Sequence, residues 1–207
     1  MSAIHVEKLK VRPLSWSSLS SWDWNKESWA KKYLDGIEEA PGPELLFGKS
    51  FAESIEDGTC KVKSLMKVLE EKKEHEFSCD FGNIKLIGYG DAFCDRTFRI
   101  LQEVKTGVKE WDQKRVDSHG QLTMYALQNF IINKVKPEEM EIALFWVPTN
   151  KIELENGDFG GFDYKIDFKY PVVYREFRTR RTLQDIMAFG AYIKKTYAEM
   201  LAFAEAY

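Results

Sequence analysis

Apolar residues recur along this chain with two different periods, and the change of period divides it. Over 14–34, Leu19, Trp22, Trp29 and Tyr33 are spaced to share one face of a helix, with Ser15 or Ser17 ahead of it as a cap. Pro41-Gly42-Pro43 breaks the chain, and Leu45, Leu46, Phe47, Phe51 and Ile55 then predict a second helix that stops near Asp57-Gly58. A strongly charged third helix over 61–73 would bury Val62, Leu65, Met66 and Leu69. From Glu76 the period shortens to two. Strands over 77–81, 84–94 and 97–106, turning at Gly82-Asn83 and Asp95-Arg96, read as a three-stranded meander. A helix over 116–133 leads to the continuously apolar 142–147, the texture of a strand covered on both faces. Alternation in 162–177 predicts a hairpin turning at Tyr170-Pro171, and Leu183, Ile186, Gly190, Ile193, Tyr197 and Leu201 predict a closing helix over 183–204.

These elements predict the α/β class, with a mixed β-sheet core flanked by helices. We expect one domain over 1–207: a helical N-terminal portion (14–73), a sheet core (76–178) and a C-terminal helix (180–207). With 207 residues, 44% of them hydrophobic, the chain can bury one substantial core and is short for two domains. Cys60, Cys79 and Cys94 form no close pair, and an odd count argues against a disulfide framework, so a reducing cytoplasm is expected. No stretch approaches the roughly 20 apolar residues of a membrane span, so no membrane association is expected. The net charge of -3 offers no bulk attraction for nucleic acid. Basic residues do cluster, at Lys105, Lys109, Lys114 and Arg115 and again at Arg175, Arg178, Arg180 and Arg181, where a solvated face and a nucleic-acid contact are equal readings.

Candidate chemistry lies in the meander. If 84–94 and 97–106 pair as a tight hairpin, Asp91 falls opposite roughly Leu101, with Glu103 a diagonal step away on the same face. Lys105, two residues on, shares that face, while Val104 points to the other layer. Two carboxylates so close repel unless a cation lies between them, and oxygen-only ligation suits Mg²⁺ or Mn²⁺. Acid-x-lysine spacing alone is weak, since it also occurs at Glu70/Lys72, Glu71/Lys73, Asp112/Lys114, Asp163/Lys165 and Asp167/Lys169. Only Glu103 has an aspartate returned to it by a preceding strand.

The order of motifs resembles the RecB-like branch of the PD-(D/E)XK nucleases, which includes phage exonucleases and the CRISPR-associated adaptation nucleases, over most of the chain. Leu14-Ser15-Trp16-Ser17-Ser18-Leu19 resembles the opening serine motif, followed by aromatic positions at Trp29 and Tyr33. Residues 48–56 resemble the helical first motif, Gly88-Tyr89-Gly90-Asp91 the glycine-x-x-aspartate strand, and Glu103-Val104-Lys105-Thr106-Gly107 the most specific signature. Gln121 and Tyr125, one helical turn apart, resemble the fourth motif. The resemblance implies a restriction-endonuclease-like fold and a Mg²⁺- or Mn²⁺-dependent deoxyribonuclease, more exonucleolytic than site-specific. Its setting would be DNA recombination, repair or phage DNA processing in a bacterial or phage-infected cytoplasm.

By that resemblance Asp91, Glu103 and the Val104 carbonyl would ligate metal, Lys105 would act in catalysis, and Gln121 and Tyr125 would arrange the site. The family's metal-ligating histidine is replaced by Ala52, so Glu53 is the expected helical ligand, with Glu56 the alternative. Asn25-Lys26 stands where iron-sulfur members carry Cys-Pro, so no cluster is expected. Ser15, Ser17, Lys109, Lys114, Arg115 and His119 are the expected nucleic-acid contacts, with His119 either structural or phosphate-contacting. Trp22 and Trp29 read as core; Trp24 stays open between core and base stacking. The implied partners are a DNA substrate and a recombinase or helicase that delivers it, with oligomeric state unfixed. A rival reading is a nucleic-acid-binding subunit that keeps the fold without cleavage; an interaction protein without nucleic acid ranks last.

Overall fold

Asn25 divides the first predicted helix in two. In the computed structural model, which describes residues 2–69, 74–93, 97–155, 157 and 159–207, α2 (Trp16–Trp24) ends at Asn25 and α3 (Lys26–Tyr33) begins there. The Asn25 side chain accepts from the Ser28 N–H at 2.8 Å, so one residue closes one helix and caps the next. Ser15 caps α2 by accepting from Ser18 N–H. A further helix, α1 (Ser2–Val11), precedes them and was not signalled by the sequence pattern. Leu14 bridges Leu86 in parallel, which pins this opening segment to the sheet.

The second predicted helix is α4 (Pro43–Glu56). The third does not form: residues 61–69 bury Val62, Leu65 and Leu69 through an irregular path with one 3-10 turn at Leu65–Lys67, and the rest of the predicted span lies outside the described residues. Apolar spacing here marks burial rather than helix. Cys94 and the predicted turn at Asp95-Arg96 also lie outside the described residues.

The predicted meander is interrupted at Asp91. β1 (His75–Phe81) and β2 (Ile84–Gly90) make a two-stranded antiparallel sheet around the Gly82-Asn83 turn. The chain then bends, and β3 (Ala92–Phe93) joins a second sheet by pairing with β4 (Ile100–Gly107). β4 runs parallel to the long β5 (Glu141–Glu153), whose second half pairs antiparallel with β6 (Tyr164–Phe168) and first half with β7 (Arg175–Arg180). β6 and β7 therefore each pair with β5, where the sequence predicted a hairpin between them.

β5 is covered on both faces, as its apolar run predicts. Ile142, Leu144 and Trp146 enter one core cluster, and Ala143, Phe145 and Val147 the other. The first cluster gathers side chains of α2, α3, α6 (Gly120–Asn133) and α7 (Leu183–Ala206), and the second takes Phe51 and Ile55 of α4. A short helix, α5 (Gln113–Ser118), precedes α6 and is separated from it by His119. Thr182 and Asp185 form a reciprocal capping box at the start of α7. No helix of the described residues is long and apolar enough to cross a membrane.

Candidate active site

The bend at Asp91 carries this residue from the β1–β2 sheet to the edge of the second one. Ala92 pairs with Gln102 and Phe93 with Leu101, so Asp91 comes level with Glu103, two positions beyond the Leu101 that the hairpin reading placed opposite it. Asp91 Oδ2 accepts from the Val104 N–H at 2.5 Å, which locks the carboxyl to β4. Glycines make the approach feasible. A Cβ on Gly88 would stand 2.8 Å from Gln128 Oε1 and 3.1 Å from Tyr125 Cε1, and one on Gly90 would stand 2.9 Å from Leu101 Cδ1. The glycines before Asp91 are thus needed for α6 and β4 to close around it.

Strand alternation sets the rest. Leu101, Glu103 and Lys105 face the α6 side of β4, whereas Gln102 points to the other layer, where it donates to the Val68 carbonyl at 2.9 Å. Lys105 Nζ lies 2.5 Å from Glu103 Oε1. Glu103 is only 2% exposed, and its Oε2 is buried with no hydrogen-bond partner among the described residues. From α6, Gln121 Nε2 donates to Tyr125 Oη at 2.6 Å, and the Tyr125 hydroxyl donates to the Tyr89 carbonyl two residues before Asp91.

The electrostatics follow from enclosing like charges. Burial, then the neighbouring Glu103, pushes the Asp91 carboxyl up to about 8, against the pull of Lys105 and the Val104 N–H. Burial also raises Glu103, with Lys105 opposing. Burial works to lower Lys105, but Glu103 and Asp91 outweigh it and raise its pKa, so the ammonium stays charged. Burial, reinforced by the two carboxylates, holds the Tyr125 hydroxyl well above its ordinary value, hence protonated.

A cleft of about 1270 Å³ opens over these groups, walled by α2, α3, the following loop and α4. Ser15, Ser17, Gln121 and Tyr125 reach its lining with Asp91, Glu103, Val104 and Lys105. Glu53 does not. Its side chain is 62% exposed and faces Lys49 at 4.0 Å, whereas Ala52 and Glu56 face the cleft, so the geometry moves the helical candidate from Glu53 to Glu56. Lys109, Lys114, Arg115 and His119 also lie outside the lining. Arg115 stacks over Trp111 at 3.9 Å, and the His119 ring sits between Trp16 and Trp111. Burial, then the cations Lys105, Arg115 and Arg181, lowers His119 to about 4, so it is neutral and a poor phosphate contact.

The second basic cluster is structural. Arg175, Arg178 and Arg180 pair with Glu110, Glu141 and Glu176. Arg181, 3% exposed, donates to Thr123, Thr179 and the Val116 carbonyl, tying the α5–α6 corner to β7. Among the rival acid-lysine pairs, Asp112 caps α5, and Asp163/Lys165 and Asp167/Lys169 lie outside the cleft; the pairs at 70–73 lie outside the described residues.

Sequence reasoning missed Glu74, Lys31, Lys32 and Lys49, all on the cleft wall. Glu74 stands one step beyond the His75–Gly90 pair and hence beside Asp91, and its charge acts on Asp91, Glu103, Lys105 and Tyr125. Extending the β1–β2 ladder from its turn would have found it. Among the described residues no three His, Cys, Asp or Glu side chains already stand as a complete ligand set. Asp91 and Glu103 nevertheless suit a hard divalent cation: both are oxygen donors, both are driven up by enclosure, and one buried oxygen has no partner among the described residues.

No protein-family model matches the sequence, and no curated protein matches it. A crystal structure of a "Putative exonuclease" from Eubacterium rectale superposes with a TM-score of 0.57 at 11% identity, covering 97% of this chain and 84% of that one. At that identity the likeness is one of fold: this chain shares the mixed, helix-flanked α/β architecture of that protein.

Proposed function

We propose that this protein is a Mg²⁺- or Mn²⁺-dependent deoxyribonuclease that works from DNA ends. The observation that carries this reading is the enclosed Asp91–Glu103 pair, with an orphaned Glu103 Oε2, held beside the Lys105 ammonium on the floor of an open cleft. Such a pair is costly to charge without a cation and well shaped to hold one. Action at ends rests on the fold likeness to the Eubacterium rectale protein.

A bound divalent ion would acidify water and screen the phosphoryl oxygens. Asp91 and Glu103 would hold it with the Val104 carbonyl, and Glu74 and Glu56 are the further acids of the wall. Lys105 keeps its positive charge and so can orient an attacking water or offset the charge that develops on phosphorus. Tyr125, protonated and bonded to both Gln121 and the Tyr89 carbonyl, fixes the strand end that presents Asp91.

Linear DNA incubated with the purified protein and Mg²⁺ or Mn²⁺ should be degraded, and Lys105→Ala should abolish this; equal degradation, or none by either protein, would refute the proposal. The non-cleaving binder is favoured by one observation, the Lys105 ammonium lying directly on Glu103. Calorimetric Mn²⁺ titration separates the two, because the enzyme loses uptake on Asp91→Ala and the binder holds DNA without metal.

A further inference from the structure

The α2–α3 segment carries four tryptophans, Trp16, Trp22, Trp24 and Trp29, which meet different fates. Trp22 and Trp29 are 2% and 0% exposed and pack edge to face in the core. Trp24, the last residue of α2, is 89% exposed, and among the described residues no ring, cation or hydrogen-bond partner engages it. It nevertheless lines the cleft that holds Asp91 and Glu103. Lys31 and Lys32 stand on the same wall one helix later, both exposed, with Lys32 resting loosely over the Tyr33 ring at 5.5 Å. The hydroxyls of Ser21 and Ser28 complete this stretch of lining.

We infer that this wall seats unpaired DNA, with Trp24 stacked on a base and Lys31 and Lys32 taking flanking phosphates; the inference rests on the nuclease reading for the identity of the polymer. A free indole face on the same wall as ammonium groups is the pairing that single strands require, since stacking and phosphate contact are both indifferent to sequence. In the interior of a duplex each base face is covered by its neighbours and only the terminal pairs leave one open, so Trp24 can stack along a strand only where the strands are unpaired. At about 1270 Å³ the cleft exceeds the roughly 300–1,000 Å³ of small-molecule pockets, which fits a run of polymer. Glu38, Glu39, Glu44 and Glu56 also line the cleft and repel phosphates, so on this wall the Lys31 and Lys32 ammonium groups are the points that draw a phosphate.

Binding of a labelled single-stranded oligonucleotide and of a blunt duplex is measured by fluorescence anisotropy in EDTA, on an Asp91→Asn background that prevents cleavage. The single strand should bind more tightly. Trp24→Ala should weaken it by roughly 5- to 150-fold while sparing the duplex, with Trp24→Phe retaining most of the affinity. Lys31→Ala and Lys32→Ala should each reduce the slope of log affinity against log salt by about 0.7. Unchanged single-strand binding by Trp24→Ala, equal losses on both DNAs, or no binding to either overturns the inference. Cleavage in Mn²⁺ with Asp91 restored tells the two ideas apart. Cleavage indifferent to Trp24 removes this one and leaves the nuclease; Trp24-dependent binding without cleavage does the reverse.

Discussion

Asparagine at position 91 should make the metal-free protein more stable while abolishing the proposed nuclease activity. In the fold the Asp91 carboxyl titrates at about 8 rather than the ordinary 3.8, because it is enclosed with Glu103. Between those values the folded chain holds a proton that the unfolded chain has released. Stability from this group is therefore complete below pH 3.8 and is lost as pH rises towards 8. At about 1.36 kcal/mol per pH unit, the loss by pH 8 has a ceiling of about 5 kcal/mol, and relaxation of the charged neighbours reduces it to about 1–3 kcal/mol. Asparagine is nearly the same shape, keeps an oxygen for the Val104 N–H and carries no charge to enclose. For a chain of this length each kcal/mol shifts the melting temperature by about 2–4 °C, so Asp91→Asn in EDTA at pH 8 should melt about 2–12 °C above wild type. The gap should close towards pH 4. Mn²⁺ should raise the wild-type melting temperature and leave that of Asp91→Asn unchanged, by linkage. Melting curves at several pH values, with EDTA or Mn²⁺, are sufficient, and an Asp91→Asn protein that melts below wild type in EDTA at pH 8 would refute the electrostatic account.

Glu74→Gln should weaken Mn²⁺ uptake in calorimetry, since its charge acts on both proposed ligands, while Glu53→Gln should leave uptake intact because that side chain faces solvent and Lys49. Gly88→Ala forces a methyl to 2.8 Å from Gln128 Oε1 and 3.1 Å from Tyr125 Cε1, so denaturant titration should show a loss of about 1–3 kcal/mol, with nuclease activity falling too. Arg181→Ala removes a buried guanidinium that ties the α5–α6 corner to β7, and should cost about 2–4 kcal/mol by the same measurement, whereas exposed Arg175→Ala should cost less than about 1 kcal/mol.

What the sequence made legible was periodicity within single elements. The α7 helix, the doubly buried β5 and the shared face of Glu103 and Lys105 follow from local spacing, and the structure places them accordingly; the helix expected over 116–133 forms only from Gly120, because extended backbone at His119 separates it from α5. The misreadings have a common cause. Val62, Leu65 and Leu69 have helical spacing, yet they are buried from an irregular chain because β5 and α4 already supply the surface they cover. Residues 162–177 alternate like a hairpin, but both strands find their hydrogen bonds on β5, whose 13 residues are long enough to serve two partners in series. In both cases the decisive partner lies elsewhere in the chain.

The interruption at Asp91 is the case that matters for chemistry. Residues 84–94 read as one strand because alternation does not reveal which partner each half will choose. Gly88 and Gly90 were the available physical sign, since two glycines in a strand weaken it unless something approaches closely. Tyr125, Gln128 and Leu101 fill that space, and the chain leaves β1 for β4 just where Asp91 must stand. Changing sheets thus positions the aspartate and also encloses it. A continuous strand would pair Asp91 with β1 in open ladder geometry. The bend instead delivers it beside Glu103 with Glu74 at its flank, so three acids reach one place, Glu74 and Asp91 from the ends of β1 and β2 and Glu103 from within β4. Lys105 alone cannot balance them, and that residual repulsion is the physical ground for the proposal that a cation binds here.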